Sequence, residues 1–127
     1  VGEVAMQTTI TSFGYKHGLP LDTDLVIDCR FLPNPYWVEG LRDFTGHDAP
    51  VREYVLDRDI TREFLDEVGR LLLLLLPAYI AEGKSYLTIA FGCTGGRHRS
   101  VAIAEEVAAT LRGHGYDLKV KHRDVAR

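Results

Sequence analysis

The stretch Ser85-Tyr86-Leu87-Thr88-Ile89-Ala90-Phe91-Gly92-Cys93-Thr94-Gly95-Gly96-Arg97-His98-Arg99-Ser100 decides how this chain reads. Its first half, Tyr86 to Phe91, is an apolar and β-branched run of strand length. Beyond it, Val101, Ala104, Val107, Ala108 and Leu111 recur at helical spacing, so Ser100 to Arg112 reads as a helix that Gly113 and Gly115 end. Between strand and helix lie Cys93, Thr94, Gly95, Gly96, Arg97, His98, Arg99 and Ser100. A helix leaves its first amide N–H groups without backbone partners, and their dipoles point out of its N-terminus. Two glycines let a ligand approach the backbone, and arginine grips phosphate oxygens bidentately. The loop therefore reads as an anion site, with phosphate its natural occupant.

Working outward, Met6 to Phe13 reads as a first strand and Leu25 to Ile27 as a short buried one, followed by Asp28-Cys29-Arg30. Pro33 and Pro35 make Phe31 to Trp37 a loop, with Phe31, Tyr36 and Trp37 expected as packing anchors. Asp48 is placed to cap a helix at Pro50. Asp59 opens a longer helix whose apolar face is Phe64, Leu65, Val68, Leu71, Leu72 and Leu75. Pro77 should kink it, or end it before a last turn to Glu82, and Gly83 should stop it. Leu118 to His122 reads as a last strand. The alternation implies a single three-layer α/β domain over residues 1–127. Its four-stranded sheet would be mostly parallel or mixed, with helices on its faces and the glycine-rich loop between strand and helix. In such sheets ligands bind beyond the carboxyl ends of the strands.

Bulk properties narrow the function. The chain has 127 residues, 46% of them hydrophobic and 26% charged, and a net charge of -3. That charge speaks against polyanion binding by the chain as a whole and confines any nucleic-acid contact to a local patch. Such a patch is offered by Lys119, Lys121 and Arg123, which alternate along the last strand, with Arg127 extending it. The same pattern also suits an edge strand guarded by lysines. Cys29 and Cys93 are isolated thiols, which favours a reducing compartment. The run Leu71 to Leu76 is too short for a membrane span. A cytoplasmic protein without membrane contact is expected. The five histidines show no metal-ligand spacing, so neither metal nor cofactor is expected, and His47 and His114 read as turn and surface residues.

Two enzymatic readings of the loop are weighed. It lacks the lysine and glycine spacing of G-x-x-x-x-G-K-[ST], which speaks against ATP hydrolysis by this segment. It does fit C-x5-R-S from Cys93 through Arg99 to Ser100, which looks like the signature of cysteine-dependent phosphatases. There Cys93 would be the nucleophile, activated by the helix N-terminus and the arginines. Gly92 stands where those enzymes commonly have histidine, and no aspartate can be assigned as general acid.

Longer motifs point elsewhere. Ser12-Phe13-Gly14-Tyr15-Lys16-His17-Gly18-Leu19-Pro20, Asp28 through Trp37, Thr45-Gly46 and Gly92 through Ser100 together resemble the C-terminal domain of the RapZ family of RNase adapter proteins, from about Thr11 to Asp124. Full-length members carry an N-terminal P-loop domain that this sequence lacks, so the resemblance does not bring ATP or GTP binding to these residues. It implies a non-catalytic, homo-oligomeric regulatory module that senses glucosamine 6-phosphate at the Gly-Cys-Thr-Gly-Gly loop and presents a small regulatory RNA to a ribonuclease. Phosphate would sit on Thr94 to Ser100 with Cys93 as a wall, and the sugar would meet His17, Asp28, Arg30 and Asn34. Asp28 is equally placed to pair with Arg30 or Arg99, and His17 to lie on the loop surface. His122 is a pocket candidate if its strand neighbours the Tyr86 strand, and otherwise alternates inward beside Val120.

Overall fold

The computed structural model describes residues 5–127. Four strands, β1 (Gln7–Gly14), β2 (Leu25–Asp28), β3 (Tyr86–Cys93) and β4 (Lys119–His122), form one sheet in the order β2-β3-β1-β4 with every pair parallel. Three helices, α1 (Ala49–Leu56), α2 (Asp59–Glu82) and α3 (Arg99–Gly113), complete the α/β domain. The last strand thus neighbours β1, not the Tyr86 strand: α3 carries the chain across β1 to reach it. Among the described residues, no helix is long and apolar enough to cross a membrane.

Alternation sorts the strand side chains. Ile10, Leu87, Ile89 and Phe91 enter one core with Val51 and Val55 of α1, Val68, Leu72 and Leu76 of α2, and Ile103, Val107 and Leu111 of α3. Each such aliphatic side chain, fully buried, contributes about 1.5–3 kcal/mol. The other face of the sheet carries Thr9 and Thr11, in register with the exposed Lys119 and Lys121. α3 is buried on most sides because it lies against β1 and β3 while α1 and α2 pack on it.

Local expectations are corrected in three places. α2 runs unbroken through Pro77, which sits exposed near its end, and stops at Gly83 in the left-handed conformation (φ 91°). Its buried stripe runs Val68, Leu72, Leu76, so Leu71 is outward. Asp48 stands at the head of α1 but caps no helix amide; its Oδ2 accepts the Thr45 N–H at 2.8 Å.

The joint between β1 and the loop after β3 positions the site. Eight paired residues bring Gly14 beside Cys93. A Cβ on Gly14 would lie 2.4 Å from the Gly95 carbonyl carbon, and one on Gly96 (φ 79°) 2.5 Å from the Gly14 nitrogen. Backbone touches backbone here, so no side chain can yield. A Cβ on the neighbouring Gly92 would lie 2.4 Å from the Phe13 ring, which leaves no room for a histidine before Cys93. Asp124, fully buried, closes the joint: its Oδ2 accepts the Gly14 N–H (2.8 Å) and Arg123 (2.8 Å), and its Oδ1 forms an ion pair with Arg127 Nε (3.0 Å). Burial opposes ionisation of Asp124, but the bonds from Arg123 and the Gly14 amide outweigh it and hold its carboxyl below the usual carboxylate range.

Two predictions follow from the joint. Gly14→Ala should cost about 3 kcal/mol or more in urea unfolding, whereas Gly113→Ala, which meets nothing within 4 Å, should be neutral or slightly stabilising. Asp124→Asn should cost about 2–3 kcal/mol at pH 7. Because the folded carboxyl titrates below the unfolded one, its contribution is complete above the unfolded pKa of about 3.9 and fades as pH falls through the folded value. Unfolding curves from neutral to acid should show the gap between the wild type and Asp124→Asn closing in acid; a gap independent of pH would contradict this.

Candidate functional site

At the carboxyl edge of the sheet, a cavity of about 280 Å³ is lined by Lys16, Asn34, Tyr36, Trp37, Cys93, Thr94, Gly95, Arg97, His98, Arg99 and Arg127. Its floor is the loop between β3 and α3. No side chain caps the start of α3, whose N-cap residue is His98, so the helix dipole opens toward the loop. Arg99 is only 4% exposed. Its Nη1 donates to the carbonyls of Arg30 (2.7 Å) and Leu32 (3.2 Å), and its Nη2 reaches Thr94 Oγ1 at 3.4 Å. Its Nε is buried without a partner, as is that of Arg97. A guanidinium fixed on one side with an unanswered N–H on the other is an anion-seeking arrangement, since an unmade bond of a buried charge is costly.

The remaining loop side chains have defined tasks. The Arg97 Nη2 donates to the Asp43 carbonyl (3.4 Å), and His98 Nε2 faces the Arg42 carbonyl at 3.0 Å. Burial pulls the His98 pKa below its ordinary value, so the ring is neutral at pH 7. The Cys93 thiol, at a residue 2% exposed, lies 3.1 Å from Ser100 Oγ. Gly96 is buried against Gly14 and Ser100 against Cys93, so both shape the floor from beneath. Tyr36 and Trp37, 45% and 75% exposed and packed edge-on (4.9 Å), form an open wall; they are not the buried anchors expected of them. Asn34 holds that wall by accepting the Tyr36 N–H at 3.1 Å.

Several residues singled out in the sequence stand outside the cavity. Asp28 is paired with Arg30 (2.7 Å), and this pairing depresses the Asp28 carboxyl. The Arg30 guanidinium stacks on Tyr15 at 3.8 Å, and only its carbonyl serves the site, through Arg99. β2 and β3 are parallel neighbours, but a local turn consumes the charges at the end of β2. His17 keeps a buried Nε2 without a partner but does not line the cavity. His122, the last residue of β4, is held by Ser12 Oγ (2.6 Å) and Glu105 (3.1 Å) and does not line the cavity. The basic stripe is also shorter than it reads. Lys119 and Lys121 are exposed, but Arg123 lies past the strand, donating to Asp124 and to the Gly18 carbonyl (2.6 Å), and Arg127 turns into the cavity.

Sequence reasoning missed Lys16, and it placed Arg127 on the wrong surface. Lys16 is brought over by its own amide, which donates to the Thr94 carbonyl at 3.2 Å. Arg127 is aimed by Asp124. The cavity therefore gathers Lys16, Arg97, Arg99 and Arg127, and among the described residues no carboxylate lines it. Cys29 and Cys93 are free and buried; burial pushes the Cys29 thiol up, so it is inert.

Comparison with known proteins agrees with this architecture. The chain matches the model of the RapZ C-terminal domain over residues 6–126. A protein of Thermobifida fusca called a nucleotide-binding protein is 54% identical over 125 residues, covering 98% of this chain and 42% of that protein. Proteins of the same name from Acidobacterium capsulatum (58% over 123 residues; 97% and 40%) and Moorella thermoacetica (56% over 119 residues; 94% and 40%) are similarly related. The chain thus spans about two fifths of the length of these relatives. With nearly every residue matched, the chain belongs to the RapZ C-terminal domain family.

Proposed function

We propose that this domain is a non-catalytic sensor that takes a small phosphorylated metabolite, such as glucosamine 6-phosphate, at the Cys93–Ser100 loop. The observation that carries the reading is the buried, half-satisfied Arg99 beside an uncapped helix start, with Lys16, Arg97 and Arg127 around the same cavity. The phosphate would rest on the loop amides and Arg99. The sugar would lie along Tyr36 and Trp37, whose exposed rings suit the apolar face of a pyranose. Nucleotide binding, which the relatives' name states of those proteins, is not assigned to this cavity.

The Cys93–Ser100 contact favours a second reading, a cysteine phosphatase, since a hydroxyl beside the thiol is what that chemistry needs. Against it stand the burial of Cys93 and the lack of a carboxylic general acid among the cavity residues. An RNA-presenting role, in the cytoplasm and as a homo-oligomer, would rest on Lys119 and Lys121. Two lysines account for a salt slope of only about −1.4 in single-stranded RNA affinity.

Calorimetry should detect one site for glucosamine 6-phosphate and a weaker one for inorganic phosphate. Lys16→Ala and Arg127→Ala should each weaken binding about tenfold, while Lys119→Ala leaves it unchanged. Cys93→Ser should keep binding, and no aryl phosphate should be turned over. Absence of heat with either ligand, or binding indifferent to Lys16 and Arg127, would overturn the sensor; hydrolysis lost in Cys93→Ser would replace it with the phosphatase.

A further inference from the structure

Behind the anion loop, three residues far apart in sequence meet. His47 lies in the turn before α1, Glu105 on α3 and His122 at the end of β4. One nitrogen of each imidazole and one carboxylate oxygen of Glu105 all lie within 4.8 Å of one another. The His122 Nε2 stands 3.1 Å from Glu105 Oε2, and the two rings meet edge-on with centroids 4.7 Å apart. Ligand atoms about 2.0–2.1 Å from a tetrahedral ion are separated by about 3.3 Å. The Glu105–His122 pair already has that spacing, and His47, exposed in its turn, has room to close the remainder.

The surroundings are those of a ligating histidine. Ser12 Oγ binds His122 Nδ1 at 2.6 Å. This fixes the ring and leaves Nε2 as the nitrogen facing Glu105, as outer-shell partners of metal-bound histidines do. Ser12 itself is fully buried on β1, in register with His122. The turn that presents His47 is held by bonds of its own, from the Thr45 amide to Asp48 and from the His47 amide to Thr45 Oγ1 (3.3 Å). None of the three candidate ligands lines the anion cavity.

We propose that His47, Glu105 and His122 form a site for a divalent zinc ion. Two imidazole nitrogens and one carboxylate are a zinc donor set that leaves a fourth position for water, and they do not suit magnesium. Zinc there pins the 45–48 turn to α3 and β4. Gly46 in that turn donates its N–H to the Arg97 carbonyl at 2.8 Å, so the ion braces the anion loop from outside the cavity.

The test is zinc titration by calorimetry on chelator-treated protein free of any histidine tag, with magnesium as the contrasting ion and His114→Ala as the control variant. One equivalent of zinc should bind, with magnesium giving no heat and His114→Ala unchanged. His47→Ala and Glu105→Gln should weaken binding by about 100-fold or more, and Ser12→Ala by about tenfold. Cobalt substituted for zinc should show the visible absorption of a tetrahedral nitrogen–oxygen site, lost in His47→Ala. His47 is exposed, so that variant should retain the wild-type fold. No zinc binding, or zinc binding equal in the wild type and His47→Ala, overturns the proposal.

Discussion

The fold depends on one close approach, that of Gly14 at the end of β1 to Gly95 and Gly96 in the loop after β3. Two backbones meet there with no room for a Cβ on Gly14 or on Gly96. The contact fixes where the loop lies, and through it where α3 begins. Asp124 makes the approach tenable by accepting the Gly14 amide and pairing with Arg123 and Arg127 from the same buried position. The carboxylate that secures the strand thus also aims a cation into the cavity, so the strand joint and the charge of the cavity are linked through one side chain.

The electrostatic design follows from this anchoring. A chain with net charge -3 builds a cavity whose charged lining is wholly basic. It does so by spending its nearby acids elsewhere: Asp28 on Arg30, Asp124 on the β1 joint, Glu105 on His122. Arg99 is held by carbonyls, not carboxylates, so its charge is positioned without being cancelled. Such a site attracts an anion while the rest of the surface stays mildly acidic.

Much of this was legible in the residues. The apolar, β-branched run Tyr86 to Phe91 marked the central strand, and the hydroxyls, glycines and arginines after it marked the loop, because strand, turn and helix start are local properties. Hidden were the features made by strand order. Lys16 and Arg127 join the cavity only because β1 and the segment after β4 end beside β3. His47 meets His122 only because α3 carries β4 across β1. Asp28 took the alternative weighed for it, pairing with Arg30: a two-residue turn satisfies it before the tertiary fold can use it. Trp37 misled because an aromatic just after two prolines reads as packing until its exposure is known.

The central claim, that the Cys93–Ser100 loop holds a phosphorylated ligand through its backbone and Arg99, is tested most directly by following backbone amide NMR signals during titration with inorganic phosphate. The account predicts that the amides of Thr94 to Ser100 and the Lys16 amide shift together and saturate with one dissociation constant, while those of Asp28, Lys119 and Lys121 stay still. Signals that move first along Lys119 and Lys121, or a loop that does not respond, would contradict it.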